Sequence, residues 1–96
     1  MMKRLYVLVS KDLHPIYACV QAGHAVAQWL LENKDTQTWN NNYLIYLKAD
    51  IEKWKYKLQL LDLPHVVFNE PDLGGLTTAI AIENDGKIFR NLKKVE

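Results

Sequence analysis

The chain predicts an α/β fold, a three-layer sandwich in which a four-stranded mixed sheet carries helices on both faces. Three observations lead there. Short runs rich in strand-forming residues recur at positions 5–9, 43–47, 65–68 and 77–82. Two stretches with helical periodicity separate the first three of them. Clusters of Asn, Asp, Pro and Gly mark the joints. Ninety-six residues form one domain over 1–96, with a single core and no room for a second.

Each element follows from its residues. Positions 5–9 form a continuous apolar run, as expected of a strand covered on both faces. His14 and Pro15 suit a helix start, because the missing amide hydrogen of proline costs nothing at the first helical position. That helix should run to about Glu32. The segment 33–42, with three consecutive Asn, reads as a loop, with a helical turn around Trp39. Asp50 is an N-cap for a second helix whose apolar residues Ile51, Trp54, Leu58 and Leu61 repeat at steps of three and four. Pro64 ends it. Asn69 to Gly75 is then a polar loop, Asn84-Asp85-Gly86 is a turn, and Ile88, Phe89 and Leu92 anchor the tail.

The first helix is the most informative segment. Between Leu13 and Leu31 nineteen residues pass without Asp, Glu, Lys or Arg. At about 100° per residue, Gln21, His24 and Gln28 share one stripe that Tyr17 extends by a turn. Ile16, Val20, Gly23, Ala27 and Leu31 make one apolar face. Ala18, Ala22, Ala25 and Trp29 make a second, and Cys19, Val26 and Leu30 close the back. A helix apolar on three sides should be largely buried, so its neutral polar stripe must find partners or line a cavity. The same stripe would equally suit the thin wet side of a core helix. The lack of Lys and Glu, usual on a face that meets only water, favours a site.

Composition narrows the function. A formal charge of +1 argues against a protein that holds nucleic acid mainly by bulk electrostatics. Its basic residues do gather at Lys3 and Arg4, at Lys53, Lys55 and Lys57, and at Lys87, Arg90, Lys93 and Lys94, as solvated faces often do. Cys19 is the lone cysteine and reads as a buried packing residue; no disulfide is expected and the cytosol is the default compartment. No signal peptide and no membrane span are expected, since Pro15, Gln21, His24 and Gln28 interrupt the charge-free run. No two histidines have metal-ligand spacing, so no metal is expected. Gly74-Gly75 is a turn rather than a phosphate loop. The three tryptophans and five tyrosines read as core and rim, with Trp39, if exposed, able to stack on a base.

Four motifs then occur in order. A strand leads into Asp12-Leu13 and a helix bearing Gln21-Ala22-Gly23-His24-Ala25. An acidic loop, Glu70-Pro71-Asp72, passes through Gly74-Gly75 into Thr77-Thr78-Ala79-Ile80-Ala81-Ile82. The chain closes on Phe89-Arg90-Asn91-Leu92-Lys93. Together these resemble the type-II peptidyl-tRNA hydrolase family along the whole chain, through short motifs. The resemblance implies a mixed four-stranded sheet between helices, and cofactor-free hydrolysis of the ester joining a peptide to the terminal ribose of tRNA, in the cytoplasm. It implies His24, Glu70, Asp72 and Thr78 as catalytic residues, with the acid being Glu70 or Asp72 and the strand hydroxyl Thr78 or its neighbour Thr77. It implies Gln21, Tyr17, Lys11 and Thr77 at the substrate. Tyr17 stands where the family has a functional lysine, because His14-Pro15-Ile16-Tyr17 replaces a stretch rich in glycine and lysine. Lys11 substitutes for an arginine at the end of the first strand, where this chain has Ser10. The loop after the acid is shorter than the family's and lacks its Arg-Thr pair. Such a set has a chemistry: a carboxylate orients or deprotonates water while Thr and Gln donors steady the developing oxyanion. The alternative is a non-catalytic relative that binds RNA or protein. Peptidyl-tRNA or tRNA is the implied partner, and exposed apolar surface would allow a homodimer.

Overall fold

A computed structural model describes residues 3–36 and 38–96; of the loop expected over 33–42, position 37 lies outside the described residues. The elements are β1 (Arg4–Ser10), α1 (Pro15–Glu32), β2 (Leu44–Ala49), α2 (Ile51–Leu60), β3 (Val66–Glu70) and β4 (Leu76–Asn84), with single 3-10 turns at Pro71–Leu73 and Lys87–Phe89. The sheet order is β2-β1-β4-β3. β1 runs parallel to β2 and antiparallel to β4, and β3 is antiparallel to β4, so the sheet is mixed. The parallel β1-β2 pair needs a crossover, which α1 supplies.

The two central strands explain the two helices. β1 is buried along its middle five residues, as its unbroken apolar run requires. Leu5, Val7 and Val9 face one side with Ala18, Ala22, Ala25 and Trp29 of α1. Tyr6 and Leu8 face the other with Ile51, Trp54 and Leu58 of α2. The two sides differ in grain. Where α1 meets β4, alanines oppose alanines (Ala18, Ala22 and Ala25 against Ala79 and Ala81), so the helix can lie close to the sheet. Beneath α2, bulkier Ile80, Ile82, Phe89 and Trp54 fill the space.

Local rules set the boundaries. His14 caps α1, its Nδ1 accepting from the Ile16 amide at 3.2 Å, with Pro15 following. Asp50 caps α2 through the Lys53 amide at 3.2 Å. α2 ends at Leu60, before Pro64, with Asp62 at φ 52°. The tail crosses the open edge of β2, where Lys48 donates to the Lys93 carbonyl at 2.8 Å and Val95 to that of Tyr46 at 3.1 Å. An unpaired strand edge is thereby partly covered.

Several expectations need correction. α1 is not buried on three sides: Ala18, Gln21, Ala22, Ala25 and Trp29 are covered, whereas Ile16 is 73% exposed and Leu31 70%. Cys19 is exposed rather than packed inside. No helical turn forms at Trp39. Its indole is instead buried against the α1 side of the core and donates to the Tyr43 carbonyl at 2.9 Å, so it offers no face to a base. β3 extends two residues beyond the expected end, making Glu70 its last residue.

Candidate functional site

Three elements meet where α1 crosses the far end of β3 and β4. Glu70 closes β3, and the residue is 8% exposed. Buried charge requires donors. Gln21 Nε2 donates to Glu70 Oε1 at 2.9 Å, Tyr17 Oη donates to the same oxygen at 3.4 Å, and the Asp72 amide donates to Oε2 at 3.4 Å. Gln21 is itself fully buried, and its Oε1 accepts from the Thr78 hydroxyl. A relay thus runs from Thr78 through Gln21 to Glu70. Because the amide must present oxygen to Thr78 and nitrogen to Glu70, the relay also decides which way it points.

Thr78 reaches α1 because the strand is irregular at that point. The ladder pairs Phe68 with Ala79 and then Asn69 with Thr77, which leaves Thr78 without a partner in β3. One extra residue in a strand shifts side-chain alternation by a step. Thr78 and Ala79 consequently both face α1, while Thr77 faces α2 and accepts from Lys55 Nζ at 3.0 Å. Thr77 also donates to Asn69 Oδ1 at 2.5 Å.

The Gln21 amide is the main cause holding the Glu70 carboxyl below its ordinary value of 4.5. Burial opposes it, and the Asp72 amide, the Tyr17 hydroxyl and the nearby His24 add to the lowering. Burial, together with the Glu70 charge, pushes the Tyr17 phenol up, so it remains a donor at neutral pH. His24 is exposed and lies flat on Phe68, ring centres 4.5 Å apart and planes 5° from parallel.

Among the sequence candidates, the fold therefore brings Tyr17, Gln21, Glu70 and Thr78 into one network, with the exposed Asp72 attached through its backbone and His24 beside it. Thr77 is turned to the opposite face. Lys11 is exposed in the turn after β1, its amide bonded to the Ala49 carbonyl at 3.0 Å, and makes no bond to the network. Gln28 keeps its place on the helix stripe but stands apart from the network, donating to Glu32 at 2.6 Å. Lys55 and Asn69 are polar partners of Thr77 that sequence reasoning did not select; only the irregular ladder signals them. Two surface concavities, of about 250 and 350 Å³, lie elsewhere: one is lined by Trp29, Leu63 and Glu83, the other by Cys19, Tyr46 and Lys94. Among the described residues no group of three or more His, Cys, Asp or Glu is placed to hold a metal ion, and no helix is long and apolar enough to cross a membrane.

No protein-family model and no curated protein matches the chain. Among solved structures, a protein of unknown function from Agrobacterium tumefaciens strain C58 is similar in fold, with a TM-score of 0.68 at 10% identity over 98% of each chain.

Proposed function

We propose that the protein hydrolyses the ester bond of peptidyl-tRNA, with Glu70 as the group that orients and deprotonates the attacking water. The observation that supports this reading most directly is the ionised, nearly buried carboxylate held by three donors from two elements. A carboxylate offers about four acceptor positions. Two on Oε1 are taken by Gln21 and Tyr17 and one on Oε2 by the Asp72 amide, which leaves one on Oε2 for a water. Ionised at neutral pH, that oxygen can take the water's proton as the hydroxide adds to the ester carbonyl. His24, exposed beside the carboxylate, is the neighbouring group suited to donate to the oxyanion or the leaving ribose oxygen, while the one hydroxyl hydrogen of Tyr17 stays on Glu70. Thr78 and Gln21 act one step back, fixing the carboxylate. In this reading the partner is tRNA carrying a peptide, and the compartment is the cytoplasm.

A second reading, a non-catalytic module binding RNA or protein, draws on one specific observation. Gln21 and Thr78 are both fully buried and bonded to each other, so neither is free to donate to an oxyanion. Release of peptide from purified peptidyl-tRNA separates the two. Catalysis requires turnover by the native protein, with a loss of about 10²-fold or more in Glu70→Gln, as expected when a general base is removed. Tight RNA binding with no release by the native protein would establish the second reading.

A further inference from the structure

β3 is the last strand of the sheet, so one of its edges has no strand beside it. The ladder decides which backbone groups face that edge. The Leu5 amide donates to the Tyr43 carbonyl at 3.1 Å, on the β2 side. Successive residues of a strand turn their N–H and C=O groups to opposite sides, so those of Tyr6 and Leu8 turn to β4. Their partners Ile82 and Ile80 turn back to β1, which leaves Ala81 and Ala79 to bond Val66 and Phe68 of β3. The backbone groups of Val67 and Asn69 therefore point away from the sheet. The irregular ladder does not disturb this alternation, because the extra residue, Thr78, belongs to β4. Among the described residues no other backbone group bonds the outward pair. The two edges of the sheet thus differ. The tail crosses β2, whereas β3 has no such cover and no Lys or Pro to guard it, and it ends on Glu70.

Resting on the reading of Glu70 as the base of an esterase, we propose that the peptide arm of the substrate adds to this edge as an extended strand. It runs parallel to β3, so that its C-terminal ester carbonyl arrives beside Glu70. Two features select this occupant. The ester carries a polypeptide on its carbonyl side, and β3 is the strand that ends at the carboxylate, so a chain following the edge in the parallel sense delivers its C-terminus there. Such a substrate also carries peptides of any sequence. Outward N–H and C=O groups at strand spacing hold an extended chain by its main chain alone, while the concavities that would select side chains lie away from Glu70. At a rise of about 3.3 Å per residue, the span from Val67 to Glu70 is filled by roughly the last three or four residues of the peptide.

The probe that tests this is an N-acetylated tetrapeptide joined by an amide to 3′-amino-3′-deoxyadenosine, which has no ester to cleave. In hydrogen exchange followed by NMR on the native protein, it should slow the amides of Val67 and Asn69. Those of Val66 and Phe68, already bonded to β4, should not change. Only one alternate set of probe amides faces β3, so N-methylation of that set should weaken binding about tenfold or more, and N-methylation of the other set little. On tRNA esters, KM should fall about tenfold from one N-acetylated residue to a tetrapeptide at similar kcat, and level off beyond it. Slowed exchange at Val67 and Asn69 without ester cleavage supports the peptide edge and removes only the esterase reading. Unchanged exchange at these amides overturns the proposal, and ester cleavage in that case leaves the esterase reading standing. Exchange there that slows with protein concentration in the absence of probe assigns the edge to a second copy, and likewise overturns it.

Discussion

The Gln21 amide stands 2.9 Å from the Glu70 carboxylate, and this single contact joins residues 49 apart in the chain, tying the second turn of α1 to the last residue of β3. Removing the amide has a definite consequence for pH dependence. The folded Glu70 carboxyl lies below 4.5, so the stabilisation from its ionised form is complete above that value and disappears as pH falls through the lower folded value. In Gln21→Met the chief donor is gone while burial remains. The acid limb of the proposed peptide release should move to higher pH, while stability at neutral pH falls and its loss on acidification becomes shallower, because the Glu70 carboxyl is no longer held low in the folded state. An unmoved limb in a folded variant would remove Glu70 from the chemistry.

The two threonines should behave differently although adjacent. Thr78→Val leaves the buried Gln21 oxygen without its donor, at a cost of about 1–3 kcal/mol, and frees the amide to turn; Thr78→Ser restores both stability and activity. Thr77→Val loses bonds to Lys55 and Asn69 on the opposite face, and should lower stability without altering the pH profile of release. Denaturant titration and rate–pH curves on the three variants check this.

Gly86 is required by both its conformation and its surroundings. It adopts φ 90°, and a Cβ there would stand 2.0 Å from the hydroxyl of Tyr6, a side chain packed in the core beneath α2. Gly86→Ala should therefore cost about 2 kcal/mol or more, read as a lower denaturation midpoint with an unchanged slope.

Phe89 closes the core beneath α2. Its ring lies 5.1 Å from that of Tyr6 and 5.3 Å from that of Trp54, and it is 2% exposed. Phe89→Ala should destabilise by about 3–5 kcal/mol, measured by urea unfolding. Because the ring is on the opposite face from Glu70, the fraction that remains folded should keep whatever rate the native protein shows in the proposed peptide release.

Much of the architecture was legible because local patterning and burial agree. The apolar run of β1 called for cover on both faces and has it. Asp50 was readable as a cap from its chemistry, and His14-Pro15 as a helix start, though only the structure shows the His14 ring itself capping α1. The end of β3 was less so: Asn69 and Glu70 resemble loop residues, and only pairing with Thr77 and Leu76 keeps them in the ladder. α1 misled for a different reason. Apolar residues all around a helix signal burial, but a two-helix sandwich covers one side only, so Ile16, Val20 and Leu31 remain outside.

By itself the sequence determined the four strands and two helices, the placing of polar Gln21 on an otherwise apolar helix, and the acidic residues that follow the third apolar run. Those are matters of period and turn chemistry, which act over a few residues. Which threonine meets Gln21 was decided only by the tertiary structure. Strict alternation would set Thr78 beside Ile80 on the α2 face and Thr77 beside Ala79 on the α1 face. The one-residue irregularity opposite Phe68 and Asn69 reverses that assignment, because its position depends on how β4 pairs with a strand formed ten residues earlier, and no local propensity carries that information.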